Sequence, residues 1–376
     1  MLAWNGSMGV SRYDGIVSPA YCVYRFKSQA LPGYFHELLR SPGYKARIKT
    51  ASTGVVESRL RLYSDDLGRI EALLPPAEEQ AAIVRFLDHV GGRIERAIRA
   101  KRKVIALLQE QKRAIIHRAV TGDAELQARP SSGHRWFPRL PDRWGVLTLG
   151  RVISAAIDGP HFSPRYRDAG IPFLSARNIR PDRWLLKTAK YISEGDYVEF
   201  SRRVRPVLGD VLYTKGGTTG VAKVVDLPFP FQVWVHVAVL KLRKHLVVPE
   251  FLAACLNSDR CYEQAQLFTR GATNQDLGLG RMKAIELPVP HTLEEQRRVV
   301  DRISSETRCL EQRISTTERE VELLREYRTR LTADVVTGKL DVREATGKLP
   351  AETHGDQADA VHDSIDDSID EEAVVE

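Results

Sequence analysis

The chain has 376 residues, 43% of them hydrophobic, enough for two or three domains with buried cores. Its formal net charge is +7, but residues 351–376 hold ten carboxylates and no Lys or Arg; removing those ten negative charges leaves +17 on residues 1–350. This basic bias favours a polyanionic partner. Without a signal-peptide pattern or an apolar run of roughly 18 residues, we expect a cytoplasmic protein with no membrane partner.

The four cysteines are scattered, with no CxxC pair and no histidine cluster beside them, which argues against both a zinc site and a disulfide framework. We therefore predict no metal and no cofactor. The cysteines are Cys22, Cys255, Cys261 and Cys309.

Residues 1–75 contain pieces that return later in the chain. Residues 2–10 align with 212–221, one residue shorter, and a helix-like run at 32–39 answers 249–256. Nothing in this segment corresponds to 142–210. We interpret residues 1–75 as the back half of a globular unit that lacks about 70 N-terminal residues, through a natural truncation or a start codon placed too late.

A long repeat organises the rest of the chain. Residues 78–122 align with 294–338 at a constant offset of 216 and without a gap. Each copy follows a proline-punctuated, strand-like run, at 72–76 and at 285–290. Because gapless self-similarity over such a length indicates duplication, the sequence predicts two equivalent long helices, within 76–125 and 291–345.

Apolar residues recur in both helices at heptad-like spacings of 7, 4, 7, 3 and 7, which is typical of a narrow coiled-coil seam. We expect each helix to pack along its equivalent, giving a rod of about 60 Å. A capping box at Thr292 and Glu295, end glycines at Gly122 and Gly338, and a kink at Gly91-Gly92 complete the prediction. The seam residues are Leu87, Ile94, Ile98, Ile105, Leu108, Ile115, Ile303, Leu310, Ile314, Val321, Leu324 and Leu331.

Residues 130–290 form the remaining unit, opened by a Pro/Ser/Gly linker at 129–133. Short strand-like runs at 170–174, 209–213 and 231–240 precede the helix-like stretch at 249–256. An α+β globule follows from this mixture.

The layout globule, helix, globule, helix resembles the specificity subunits of type I restriction-modification systems. Several motifs carry the resemblance: Pro-x-x-Glu-Glu-Gln at 75–80 and its relaxed form at 290–296, the helix close at 331–342, Leu-Pro-Asp-Arg-Trp at 140–144, and the runs at 158–164, 171–174 and 209–212. Together they cover nearly the whole chain except the acidic tail.

The resemblance implies an α+β fold in which target-recognition globules alternate with two long antiparallel coiled-coil helices. It implies a partial first target-recognition domain at 1–75 and a complete second one at 130–290. The composition at 346–376, outside the resemblance, predicts a disordered acidic tail. It further implies a non-catalytic subunit that reads one half of a split site in double-stranded DNA with each globule. Modification subunits, and through them restriction subunits, would dock on it.

No catalytic constellation is present. Residues 215–220 are glycine-rich but lack the order of a phosphate-binding loop, so we predict a tight turn or a loop that approaches DNA. Asp158 and His161 resemble an acid/base pair, but a local turn or packing role is favoured because no activated partner is visible.

Major-groove readout needs donors and acceptors matched to base edges, and suitable side chains cluster in predicted turns of the second globule. Solvation of a polar surface is the competing interpretation for each of them. The candidate DNA-binding residues are Arg177, Asn178, Arg180, Lys215, Thr218, Thr219, Lys223, Arg270, Asn274 and Gln275.

Two other interpretations remain open. The chain could be a freestanding DNA-binding protein or a remnant that joins no enzyme, which failure to co-purify with a modification subunit would favour. It could instead be a structural coiled-coil protein whose globules bind proteins, which absence of DNA affinity at low salt would favour. The acidic tail is interpreted as a solvating extension, with competition against DNA for the basic face as the alternative.

Overall fold

The computed structural model describes residues 3–11, 13–19, 21–26, 30–54, 60–122, 133–271 and 275–350. The chain divides into two compact units. Met1–Ile105 with Ser315–Glu376 form the first unit, and Ala106–Ile314 forms the second. The predicted acidic tail lies, from residue 351 onward, outside the described residues, as does most of the predicted linker at 129–133.

Two helices of 45 and 44 residues dominate the described chain, and the other helices are short. The helices are α1 (Pro32–Arg40), α2 (Pro42–Ala51), α3 (Ser64–Gly68), α4 (Ala77–Thr121), α5 (Leu149–Val152), α6 (Glu194–Ser201), α7 (Pro249–Leu256), α8 (Asp259–Phe268), α9 (Leu279–Met282), α10 (Leu293–Val336) and α11 (Arg343–Gly347).

All strands among the described residues lie in the second unit. They are β1 (Trp144–Thr148), β2 (Ile153–Asp158), β3 (Ile171–Leu174), β4 (Lys190–Ile192), β5 (Val211–Thr214), β6 (Ala222–Val224), β7 (Gln232–Val233), β8 (Val237–Leu242) and β9 (Glu286–Pro290). They form an antiparallel sheet of order β2-β8-β5-β6, a mixed sheet of order β4-β3-β7, and the antiparallel pair β1-β9.

The four-stranded sheet is buried on both faces. On one face Tyr213 and Leu240 pack with Phe251 of α7, and on the other Leu212 and Val239 pack in a separate cluster. Because both faces of the sheet are covered, the sequences of β5 and β8 are largely continuous apolar runs and do not alternate between apolar and polar residues. The predicted α+β globule is confirmed, although the run at 231–240 is two strands separated by a turn rather than one strand.

The long helices run antiparallel. In the first unit Glu95 pairs with Arg328 and Lys101 with Glu320, so the numbering on α10 falls as that on α4 rises. In the second unit the Lys112 ammonium lies 2.7 Å from Glu311. All twelve predicted seam residues are buried or half-buried in their units. A buried threonine, Thr307, also faces inward and was not predicted.

Two details of the helices bear on the sequence interpretation. Helix α4 continues without interruption through Gly91-Gly92, where the sequence predicts a kink. At the start of α10, Thr292 Oγ1 accepts a hydrogen bond from Glu295 N at 3.2 Å, but the Glu295 side chain does not return the bond as a capping box would require. Its carboxylate instead accepts the indole N–H of Trp144 at 2.8 Å.

Equivalent glutamines fasten each long helix to its globule. Gln80 is fully buried, accepts the main-chain N–H of Leu31 at 2.8 Å and donates to the Pro75 carbonyl at 2.7 Å. Gln296 accepts from Val248 N at 2.8 Å and donates to the Leu246 carbonyl at 2.9 Å.

Leu31 and Val248 immediately precede the prolines that open α1 and α7. The two glutamines therefore make the same junction, and this gives the Glu-Glu-Gln motif a physical role.

The first unit holds a smaller core. This core joins side chains of α1, of both long helices and of the segment after α10. They include Tyr34, Leu38, Leu87, Val335 and Val342. The predicted helix at 32–39 is confirmed as α1. Of the segment that aligns with 212–221, residues Ala3–Asn5 form a 3-10 turn.

Candidate nucleic-acid interface

Three loops of the second unit meet on one surface. The first follows β3 (176–180), the second joins β5 to β6 (215–220), and the third follows α8 (270–276). Thr218 Oγ1 donates to the Ala176 carbonyl at 3.3 Å, and Gly216 and Arg270 each bridge to Asp276 through main-chain atoms. We call residues 176–180, 215–220, 270–271 and 275–276 the three-loop surface.

Four predicted candidates are exposed on this surface: Arg177, Thr218, Arg270 and Gln275. Arg270 Nη1 donates to the Leu267 carbonyl at 2.9 Å, and this bond orients the guanidinium group. The side chains of Arg177 and Gln275 make no hydrogen bond with the described residues. Such free guanidinium and amide groups are the donors and acceptors that base edges and phosphates require.

Arg180 is half-buried, and its Nη1 donates to the carbonyl of Ile179 at 2.9 Å and of Arg177 at 3.2 Å. Its guanidinium group is thereby fixed beside Arg177.

Lys215, in contrast, lies inside the loops rather than on them. It is 5% exposed, and its ammonium nitrogen is 2.8 Å from Asp276 Oδ1 and 3.5 Å from Asp158 Oδ2. Between two carboxylates its charge is already compensated, so the structure argues against base reading by Lys215. The residue instead holds the second loop to the third.

Asp158 is the centre of this ion-pair network. It is 3% exposed, and Arg203 Nη2 lies 2.5 Å from one carboxylate oxygen while His161 Nε2 lies 3.4 Å from the other. Burial raises the pKa of Asp158, but the hydrogen bond from Arg203 and the charges of Lys215 and Arg203 outweigh burial and lower it. Asp158 and His161 are thus members of a structural network, as the turn interpretation expected.

Three further candidates are turned inward, and the structure argues against base reading by them. Asn178 is 2% exposed; its carbonyl oxygen accepts from Ser175 N at 2.8 Å and its amide donates to the Leu185 carbonyl at 3.0 Å. Thr219 is 8% exposed, and its carbonyl accepts a hydrogen bond from Gln266.

Lys223 is the third of these residues. It is 7% exposed, with its ammonium nitrogen 5.1 Å from the centre of the Trp184 ring. Burial lowers the pKa of Lys223, and the nearby charges of Asp226 and Asp182 oppose that shift. The tenth candidate, Asn274, lies outside the described residues.

The sequence did not single out His236, Arg203 or Asp276, which shape the surface. The His236 carbonyl accepts from Lys215 N at 2.8 Å, and its ring lies against Gly216. A Cβ atom at Gly216 would come within 2.4 Å of His236 Nδ1, so that position excludes any side chain. The glycine-rich run therefore indicated close packing. The sequence did not indicate that His236 is the residue that packs against it.

No cluster of three His, Cys, Asp or Glu side chains suited to a metal ion occurs in the part of the chain that the structure describes. The four cysteines are free thiols, with Cys255 and Cys261 buried. Among the described helices, none combines the length and apolar character needed to cross a membrane.

Comparison with known proteins agrees with this geometry. Residues 141–322 match the family described as type I restriction modification DNA specificity domain. Over 288 residues the chain is 23% identical to the type I restriction enzyme EcoBI specificity subunit of Escherichia coli. That alignment covers 74% of this chain and 58% of the relative, so the chain spans less than two thirds of that protein's length.

Two solved structures are also similar. One, from a study of complex assembly and conformational transition of the type I R-M system, gives a TM-score of 0.52 at 19% identity, over 83% of this chain and 72% of that one. The HsdS subunit from Thermoanaerobacter tengcongensis gives a TM-score of 0.38 at 20% identity, over 83% of this chain and 71% of that one. The match of residues 141–322, which include most of the second globule and the start of α10, identifies this part of the chain as a type I restriction modification DNA specificity domain.

Proposed function

We propose that this chain recognises DNA sequence for a type I restriction-modification complex and performs no chemistry itself. The second globule, residues 130–290, reads bases with its three-loop surface, and residues 1–75 contribute to the other half of a split site. The two long helices fix the spacing between the half-sites and carry the modification subunits, with restriction subunits joining through the complex.

The three-loop surface is the observation that carries the proposal. It presents Arg177, Arg270 and Gln275 together. The Leu267 carbonyl orients the Arg270 guanidinium, and the ion pair of buried Lys215 with Asp276 holds the second loop to the third. Arginine reads guanine and glutamine reads adenine in the major groove, and loops held in this way lose little freedom on binding. We include Asn274 among the proposed DNA-binding residues on the basis of the sequence alone, because it lies outside the described residues.

Substitution of these side chains tests the proposal. We expect Arg177→Ala and Gln275→Ala each to weaken binding to the cognate site by roughly 1–3 kcal/mol, because a bidentate base contact is lost. We expect Arg270→Ala and Asn274→Ala to weaken binding to the cognate site as well. Fluorescence anisotropy with cognate and scrambled duplexes at fixed salt separates lost specificity from lost charge.

Arg202→Ala provides the matched control, since it removes one exposed arginine just after α6, outside the three loops. It should reduce binding to both duplexes equally or not at all. If the loop variants bind the cognate duplex as the unmodified chain does, with its sequence preference intact, base reading by this surface is excluded.

A further inference from the structure

A fourth loop of the second unit, residues 159–168, borders the three-loop surface. It follows Asp158, the last residue of β2, whose carboxylate oxygen Oδ2 lies 3.5 Å from the Lys215 ammonium nitrogen and 3.4 Å from His161 Nε2. Because Lys215 belongs to the second loop of that surface, the shared carboxylate places His161 beside it. We call residues 159–168 the aromatic loop.

Close packing fixes the start of the aromatic loop. A Cβ atom at Gly159 would come within 1.9 Å of the Val233 carbonyl oxygen, so no side chain fits at this position. Arg203 binds the same turn, because its Nε donates to the Asp158 carbonyl at 3.0 Å. The loop therefore presents Phe162 from a fixed base.

Phe162 is an exposed ring that rests on a buried aromatic cluster. It is 56% exposed, and its ring centre lies 5.4 Å from that of the buried Phe200 in an edge-to-face arrangement. Phe200 in turn packs against Phe173, with 6.0 Å between the ring centres. Tyr166 is also exposed and packs on the same Phe173 at 6.2 Å. The two exposed rings thus form an apolar patch that core residues hold in place, and such patches mark binding surfaces.

The charge around this patch suits a polyanion. The aromatic loop carries Arg165 and Arg167 against one exposed carboxylate, Asp168, and the half-exposed Arg203 adjoins it. The Arg165 side chain makes no hydrogen bond or ion pair with the described residues, so its guanidinium group is available to a phosphate. An apolar patch that is bordered by arginines and continuous with the three-loop surface fits DNA.

Phenylalanine has no hydrogen-bonding side-chain group, and this limits what Phe162 can recognise on a base. In the major groove the apolar group on a base edge is the C5 methyl group of thymine, whereas the other edge groups are donors and acceptors. Arg177, Arg270 and Gln275 on the neighbouring loops supply hydrogen bonds and therefore suit those other groups. The Phe162 ring is complementary to the thymine methyl group.

We propose that Phe162 contacts the C5 methyl group of one thymine in the major groove, next to the bases that the three-loop surface reads, and that Arg165 binds a phosphate beside it. The inference rests on the proposed function and adds to it a preference for thymine at one position. Because the buried aromatic cluster holds the Phe162 ring, little side-chain freedom is lost on binding.

Removal of a single methyl group from the DNA tests this contact. The full chain first selects a cognate duplex from a random-sequence pool, and each thymine of that duplex is then replaced in turn by uracil, which lacks only the methyl group. We expect one replacement to weaken binding about fourfold, the factor that corresponds to one buried methyl group. Fluorescence anisotropy at fixed salt measures the affinities.

Variants of the chain assign the response to a side chain. Phe162→Ala should weaken binding to the thymine duplex by a similar factor and should no longer respond to the uracil replacement, because ring and methyl group act as a pair. Phe162→Leu keeps an apolar side chain and should retain part of the response. Arg165→Gln should weaken binding to every duplex and reduce its salt dependence by about one phosphate contact, with the response to uracil unchanged.

Leu208→Ala is the matched apolar control. Leu208 is 61% exposed and precedes β5, at the end of that strand opposite the second loop. The variant should change neither the affinity for the thymine duplex nor the response to uracil. Circular dichroism and urea unfolding of each variant check folding.

The proposal is overturned if no uracil replacement weakens binding, if Phe162→Ala responds to every replacement as the unmodified chain does, or if Phe162→Ala binds all duplexes with unchanged affinity. The last result would mean that the ring faces a partner other than DNA. Each of these outcomes leaves the proposed function standing when Arg177→Ala still weakens cognate binding. A chain that selects no sequence from the pool would instead overturn the proposed function, and this inference with it.

Discussion

Folding changes the ionisation of His36 in the first unit. Its Nε2 lies 3.2 Å from Arg40 Nη1, and its Nδ1 is buried without a hydrogen-bond partner. Burial, followed by the charges of Arg40 and Arg328, lowers the pKa of His36 to about 4. The folded chain therefore holds this ring neutral where an unfolded chain would begin to protonate it.

This shift predicts a pH-dependent stability. The unfolded state takes up a proton near pH 6.5 and the folded state only near pH 4. Between these values the unfolded state binds more protons, so the contribution is fully present above pH 6.5 and is lost as the pH falls towards 4. We expect roughly 1–2 kcal/mol after allowing for solvent screening, measured by urea unfolding at pH 4.5 and 7.0.

His36→Gln isolates this contribution from that of Glu37, whose pKa burial raises and whose effect on stability has the opposite sign. The variant should lose less stability between pH 7.0 and 4.5 than the unmodified chain does. An unchanged difference between the two pH values would show that His36 does not titrate in this range.

Single residues also show where sequence reasoning ends. Arg177 and Gln275 are exposed on a loop surface, as their place in predicted turns indicated. Lys215 carries the same kind of charge, but its partner Asp276 is 61 residues away in the chain and is brought to it by folding. A sequence shows that a charge is present, whereas burial and pairing depend on which loops converge.

At the scale of elements, the long helices were predictable because one periodicity runs through both copies. The twelve seam residues follow the heptad spacing and are all at least half-buried. Helix α4 is uninterrupted at Gly91-Gly92 although two glycines cost about 2 kcal/mol in a helix, because packing along the seam offsets that amount. The register of β1 on β9, by contrast, joins segments about 140 residues apart and left no local signal.

The glutamine junctions give a prediction at this scale. Gln80→Ala and Gln296→Ala should each lower the free energy of unfolding by roughly 1–3 kcal/mol, because each leaves a main-chain N–H and a main-chain carbonyl, both at least partly buried, without this partner. Equilibrium denaturation monitored by circular dichroism measures both. Gln109→Ala, exposed on α4, is the control and should change stability by less than about 0.5 kcal/mol.

If either junction variant matches the control, the buried glutamine bonds do not hold globule and helix together. A loss for Gln296→Ala alone would show that the two copies differ in energy despite equal geometry.

For the whole molecule, the proposed function predicts a DNA methylation pattern. Co-expression with a type I modification subunit, in a host without other methylation, should produce modified adenines in a two-part motif. Single-molecule sequencing maps them. A palindromic motif would instead indicate two copies of the second globule acting together, and no modified adenine would favour a chain that joins no enzyme.

The glutamine junctions also bear on how such a protein changes its target. Gln80 and Gln296 bind main-chain groups of the globules, at Leu31, Pro75, Val248 and Leu246. A main-chain N–H or carbonyl is supplied by almost any residue, so these bonds place no demand on side chains. A foreign globule grafted between the same points would meet an attachment that already accepts it, leaving its reading loops free to diverge.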